Sequence, residues 1–380
     1  MKGAPLGRPF SDFLRIFYGG VAYMSDFLNV SAGENARFFG RTIKTKDGIT
    51  FFNWSGSGFV FKFKGTAAKC VLHAGISGND VPQPSDRGYV GVYLDRLPYC
   101  TARFPIDRQI GEYILVEGLP FGEHTVCVVK ETEAAYGRAG VSEILIDGEI
   151  LLPPPPSKLK LEFIGDSITC GYGNICSNAS PDFVTAEENF SQTYAAVAAR
   201  LLDAEISVVA ASGNGFYHDY GCNTHNLIPE LYCYTDKFFH GSCGIVPEKW
   251  DFKRDKKDAV IIKLGANDYQ FCRGADIPDE QRSEHLLETR RAEFTDIAAA
   301  FFRKVSKCRP GTPIIFIYES DMKLKKELLE AVKKANAGIH TMEIMPKRPY
   351  EGVGANGHFS VFTHARVGEL LAEEIRRIIC

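Results

Sequence analysis

Four short blocks carry the residue types that acyl-transfer chemistry requires. Gly165-Asp166-Ser167 offers a serine hydroxyl, Ser212-Gly213-Asn214-Gly215 a glycine N–H, Gly265-Ala266-Asn267-Asp268 a side-chain amide, and Gly357-His358-Phe359-Ser360 an imidazole. A serine hydroxyl becomes an effective nucleophile when a neutral imidazole takes its proton during attack. The oxyanion formed by that attack needs N–H donors already in place. Read singly, each block also has an ordinary explanation. Gly-Asp-Ser is a common helix N-cap, Gly-Ala-Asn-Asp a common turn, and Asp268 could cap or brace that turn. The specific signal is where the four fall relative to the elements around them.

The first three blocks follow directly on short apolar runs: Leu159 to Ile164, Ile206 to Ala210 and Ala259 to Leu264. Ile314 to Tyr318 and Ile339 to Ile344 are two further runs, and His358 lies between the last of them and the closing helix. Helical stretches alternate with these runs: Ser191 to Leu202, Glu284 to Cys308, Lys323 to Asn336 and Thr363 to Ile379. Such alternation predicts βαβ units and a parallel sheet covered by helices on both faces. Ligands of such sheets bind beyond the carboxyl ends of the strands, where all four blocks are expected to converge.

Residues 30–150 read differently. Phe59 to Phe63, Lys69 to His73, Tyr89 to Leu94, Tyr113 to Val116 and His124 to Lys130 are short, rich in aromatic and β-branched residues, and separated by Gly, Pro, Asn and Asp. That spacing predicts an all-β sandwich or jelly roll. Pro153 to Pro156 can continue neither a sheet nor a helix. The expected organisation is therefore a β-sandwich over 1–152, a proline-rich linker over 153–157 and an α/β/α three-layer domain with a flavodoxin-like sheet over 158–380.

The blocks and their order resemble those of the SGNH (GDSL-type) hydrolases. The string Glu162-Phe163-Ile164-Gly165-Asp166-Ser167-Ile168-Thr169-Cys170-Gly171-Tyr172-Gly173-Asn174 is more similar still to the family-2 carbohydrate esterases, as are Pro229-Glu230-Leu231-Tyr232 and Trp250-Asp251-Phe252. Phe52 to Gly58, with Gly65-Thr66, resembles the jelly-roll domain that precedes the hydrolase in that family. The resemblance implies Ser167 as nucleophile and His358 as general base and acid. It places the oxyanion hole on the N–H groups of Ser167 and Gly213 and the side chain of Asn267. It implies no cofactor and no metal, and an acetylated saccharide as substrate.

Two positions depart from the superfamily pattern. Ala355 stands where an Asp three residues before the histidine would orient the imidazole, which leaves a Ser–His dyad held by a backbone carbonyl, rescue by Glu351 or Glu343, or loss of activity. Phe359 replaces the usual proline and could present an aromatic wall to the substrate. Asp166, Asp268, Tyr232 and Trp250 join it as candidate substrate-binding residues.

The segment from Phe216 to Trp250 is long for a connection and rich in aromatic residues: Tyr217, Tyr220, Tyr232, Tyr234, Phe238, Phe239 and Trp250 could line a saccharide site or form a satellite core. His218, His225 and His240, with Cys222 and Cys243, fit no metal-ligand spacing and are expected to line or cap a pocket. His364 reads as a packing or surface residue.

Composition excludes several classes. With 44 Lys+Arg against 47 Asp+Glu, a formal charge of −3 gives no footprint for nucleic acid or an anionic membrane. No apolar run is long enough for a spanning helix. Met1 to Phe10 is not followed by the apolar stretch of a signal peptide, and eleven irregularly spaced cysteines form no disulfide framework, so a reducing, cytoplasmic setting is expected, with secretion as the alternative. Oligomeric state is left open. Two other functions stay in view: a lipase or thioesterase of the same superfamily, and a carbohydrate-binding protein that keeps the hydrolase as a scaffold.

Overall fold

The computed structural model describes residues 27–75, 83–176, 179, 183–243, 246–345 and 347–379. The amino-terminal stretch read above as lacking a signal peptide lies outside them.

Two six-stranded antiparallel sheets form the first half. Gly58–Gly65, Gly122–Lys130 and Tyr89–Leu94 lie at the centre of one, and Ala68–His73, Gly140–Ile146 and Ile110–Val116 in the other. Side chains alternate across a strand, so Phe59, Phe61 and Phe63 point to one face. There they meet Val126, Val128, Cys70, Leu72, Ile144 and Ile146 in a closed apolar layer between the sheets. The last strand of the sandwich, Glu149–Leu151, is followed by the prolines, and the next strand starts at Leu159.

The second half is a five-stranded parallel sheet. Its strands are Leu159–Gly165, Ala204–Ala210, Ala259–Lys263, Ile314–Glu319 and His340–Ile344, in spatial order second, first, third, fourth, fifth. All four pairings are parallel. Both faces of the sheet are covered, and each of the first four strands contributes to two cores. Ile164, Val260, Ile262 and Phe316 pack toward the helices Glu284–Cys308 and Lys325–Ala335. Leu161, Phe163, Ile261 and Ile315 pack toward Tyr194–Leu201 and Val361–Ile379. The sheet is flavodoxin-like, with its switch point between the first and third strands, where Ser167 emerges.

The halves interlock through buried polar contacts. Trp54 of the sandwich belongs to a core of the α/β domain, and its indole N–H donates to the Thr235 carbonyl (2.8 Å). Asn53 donates to Asp236 (2.8 Å), and Glu131 accepts from both the N–H (2.9 Å) and the hydroxyl (2.8 Å) of Ser191. Arg41 reaches Glu162 in the middle of the first parallel strand (3.2 Å), where Arg309 also binds Glu162 at 2.8 and 2.9 Å. Burial opposes charge on Glu162, but the hydrogen-bonded Arg309 and the charge of Arg41 outweigh it, so its carboxyl is held below the usual range.

Candidate active site

Ser167 opens a single helical turn, Ser167–Cys170, directly after the first parallel strand. The Asp166 carboxylate caps that turn by accepting from the Ile168 N–H (3.1 Å). Gly165 has no room for a side chain, because a Cβ there would lie 2.0 Å from the Thr169 hydroxyl and 2.8 Å from the Lys263 carbonyl. The turn therefore sits tight against the third strand.

His358 is carried by the loop before the last helix and meets the serine directly: Nε2 lies 2.8 Å from Ser167 Oγ. Nδ1 lies 2.9 Å from the Ala355 carbonyl oxygen. A carbonyl can only accept, so Nδ1 carries the proton and Nε2 presents its lone pair to the serine. Burial, together with the nearby cations of Lys347 and Lys263, pulls the imidazole below its ordinary pKa; the Ala355 carbonyl opposes that shift in part. The ring also packs against Tyr172 (centroids 4.6 Å apart), which stacks on Phe183 (3.8 Å) and accepts from the Asn356 amide (3.1 Å).

The loop is pinned to the nucleophile turn through Gly173, whose carbonyl accepts from the Ala355 N–H (3.0 Å). Gly173 has φ +56°, and a Cβ on it would fall 2.2 Å from that of Ala355. Ala355 is wholly buried. The Ala355 methyl is thus packed directly against Gly173. Neither alternative carboxylate replaces the missing acid. Glu351 is buried among Arg366 (2.6 and 3.0 Å), Thr363 (2.9 Å) and the Arg348 N–H (3.1 Å). Its bond to Arg366 holds its carboxyl down at about 2. Glu343 pairs with Lys325 (2.8 Å).

Gly213 and Asn267 follow the second and third strands, as their blocks predict. The Asn267 amide donates one hydrogen to the Asn214 carbonyl (2.8 Å), which ties the two loops together. Asp268 is a brace: its carboxylate accepts from the N–H groups of Phe216 (2.9 Å), Tyr217 (2.8 Å) and His218 (2.9 Å).

The candidate substrate contacts are corrected. Asp166 and Asp268 are 2% and 1% exposed, each held by backbone N–H groups, so neither faces a ligand. Tyr232 is fully buried with its hydroxyl on Glu162 (3.0 Å). Trp250 is half-buried beneath the Arg41 guanidinium, 4.9 Å from its ring centroid, at the Glu162–Arg309 cluster. Phe359 is 1% exposed and packs on His364, so it forms core instead of a wall of the site. For Tyr232 the cause lies in the long segment itself, which feeds Phe216, Ile228, Leu231 and Tyr232 into the core of the parallel sheet. Tyr220 differs, being 63% exposed and bonded through its N–H to the Gly213 carbonyl (2.7 Å).

The other histidines also have structural places. His364 is buried and accepts from the Tyr194 N–H (3.1 Å). His218 stacks on Phe271 (3.5 Å), His240 contacts the Asp236 carbonyl (2.6 Å), and His225 is exposed. Among the described residues, potential metal ligands come together only at Glu133, Cys170 and Glu188, all buried. Burial pushes the Cys170 thiol up, and the ammonium of Lys130 supplies positive charge beside both carboxyls. The buried Cys70, Cys170 and Cys272 are free thiols. No helix among the described residues is long and apolar enough to cross a membrane.

Comparison with known proteins gives two family matches in series. Residues 38–155 match the carbohydrate esterase 2 N-terminal domain, and residues 161–343 match the GDSL-like lipase/acylhydrolase domain, which stops short of His358. The chain is 28% identical over 338 residues to a cellulase/esterase of Acetivibrio thermocellus, covering 85% of this chain and 37% of that protein. It is 23% identical over 341 residues to an acetylxylan esterase/glucomannan deacetylase of Cellvibrio japonicus, covering 87% and 88%. A family two carbohydrate esterase from Clostridium thermocellum, solved with cellohexaose, superposes with a TM-score of 0.76 at 25% identity over 90% of this chain and 98% of that one. With both domains matched on one chain and in this order, the protein belongs to the GDSL-type (SGNH) hydrolases, in the branch of the family-2 carbohydrate esterases.

Proposed function

We propose that the chain is a serine esterase that removes acetyl groups from the hydroxyls of plant-type polysaccharides or their oligosaccharides. The observation that carries this reading is the contact of Ser167 Oγ with His358 Nε2 at 2.8 Å, on an imidazole whose other nitrogen is committed to a carbonyl. The acetyl and saccharide parts draw on the names of the Cellvibrio japonicus and Clostridium thermocellum relatives.

The reaction follows from the atoms present. Ser167 Oγ attacks the acetyl carbonyl carbon while its proton passes to His358 Nε2, and the carbonyl π pair moves onto oxygen. The N–H groups of Ser167 and Gly213 and the second hydrogen of the Asn267 amide receive that charge, each worth on the order of 10²–10³ in rate. Collapse expels the sugar oxygen, which takes the Nε2 proton and leaves acetyl-Ser167. Water then attacks the acyl carbon, giving its proton to Nε2. Acetate departs as Ser167 Oγ recovers that proton. The exposed Tyr220 beside Gly213 offers a ring on which a sugar face can rest.

Acetate release from a panel of acetylated sugars, with Ser167→Ala alongside, tests the reading. Turnover by the wild type and none by the variant supports it, whereas glycan binding without turnover overturns it. A preference for octanoyl over acetyl aryl esters would assign the site to longer acyl chains.

A further inference from the structure

Glu133 belongs to the sandwich half, three residues past the strand Gly122–Lys130, yet its carboxylate bonds the hydrolase half. Its carboxylate accepts from the Ser212 N–H at 2.8 Å, and Ser212 immediately precedes Gly213. Glu133 is 1% exposed. Its carboxyl lies within 4.8 Å of the buried Cys170 thiol and Glu188 carboxyl, and Cys170 closes the turn that Ser167 opens. One side chain thus bonds the loop that carries Gly213 and lies close to the turn that carries Ser167.

We infer that Glu133 is a positioning residue for the oxyanion hole, supplied to the hydrolase by its partner domain through the Glu133–Ser212 hydrogen bond. The inference rests on the esterase reading above. A peptide N–H aims at an oxyanion only if its plane is fixed. The Gly213 N–H shares its peptide plane with the Ser212 carbonyl, and the adjoining plane, which carries the Ser212 N–H, is held by Glu133. Gly213 has φ +75°, a rotation open to glycine that would need such an anchor to stay put. Side-chain packing does not hold it, since a Cβ on Gly213 would meet only Tyr220, at 4.0 Å; on its carbonyl side it accepts from the Tyr220 N–H (2.7 Å). The fold therefore restrains this loop from the sandwich side, through Glu133, and from the sheet side, through the Asn267–Asn214 bond.

The test compares Glu133→Gln, whose amide oxygen can still accept from Ser212, with Glu133→Leu, which fills the volume without accepting. In the full-length chain on an aryl acetate, Glu133→Leu should lose about 10- to 100-fold in kcat with KM within about twofold, a fraction of the full effect of losing an oxyanion donor. Glu133→Gln should retain kcat within about fivefold. The acid limb of kcat/KM should keep its midpoint in both variants, because the His358–Ala355 bond is untouched. Circular dichroism and thermal melting establish that the proteins compared are folded; should Glu133→Leu not fold, Glu133→Met replaces it. Wild-type kcat in a folded Glu133→Leu, or equal losses in both variants, overturns the positioning role. A wild type without esterase activity would instead overturn the esterase reading itself.

Discussion

The imidazole of His358 hydrogen-bonds the backbone carbonyl of Ala355 at 2.9 Å, where other members of the superfamily use an aspartate side chain. A neutral acceptor fixes the tautomer and the ring plane but adds no charge to stabilise the imidazolium. The base that results is well oriented and holds a proton weakly.

Glu351→Gln should therefore leave kcat within about tenfold of wild type, because Glu351 serves Arg366, Thr363 and the Arg348 N–H and makes no bond to His358. A thousandfold loss in a folded variant would contradict the dyad. The substitution should show in acid stability instead. The carboxyl titrates at about 2 when folded, against 4.5 ordinarily. Its stabilisation is thus complete above the ordinary value and lost as pH falls toward the folded one. Urea midpoints of the two proteins should converge as the pH is lowered through that window.

The pH dependence of kcat/KM should show an acid limb of unit slope, with its midpoint below the ordinary imidazole value of 6.5, and a plateau above it. The sign follows from burial: the folded site disfavours imidazolium, so the neutral base persists into weakly acidic solution. A midpoint above 6.5 would mean that a carboxylate supports the ring after all.

Asn267→Ala should lower kcat on the order of 10²–10³-fold with little change in KM, since the amide acts on charge that appears only after attack. Steady-state kinetics on an acetyl ester separates this outcome from a binding role, which would raise KM and spare kcat.

Glu162→Gln should destabilise the protein by about 3–5 kcal/mol, because the guanidinium groups of Arg41 and Arg309 would remain buried without their shared carboxylate. Denaturant unfolding measures this loss. The kcat of the folded variant should remain near wild type, as the cluster is separate from the dyad.

Several features were legible because they follow from local pattern. The five apolar runs became the parallel strands to within a residue or two, and the helix at Glu284–Cys308 has the ends its sequence suggests. That the Ser167 and His358 blocks meet at one sheet edge was legible from their places after the strands, while their roles and the missing acid at Ala355 came from the family resemblance. What the pattern hid were contacts between distant segments. Glu131 and Glu133 sit in an irregular stretch after a strand, where no periodicity marks a side chain that crosses into the other half. Tyr232 and Trp250 looked like ligand platforms because aromatic residues in a long connection can be either surface or core. Arg41 and Glu162, 121 positions apart, decided which.

The indole of Trp54, enclosed in the core of the α/β domain, has a further consequence. A chain cut anywhere between residues 153 and 157 would lose covalent continuity and keep its shape. The two fragments would migrate together under native conditions and come apart only in denaturant. A calorimeter would record one cooperative melt, and the proline run would mark the end of a strand without being a hinge.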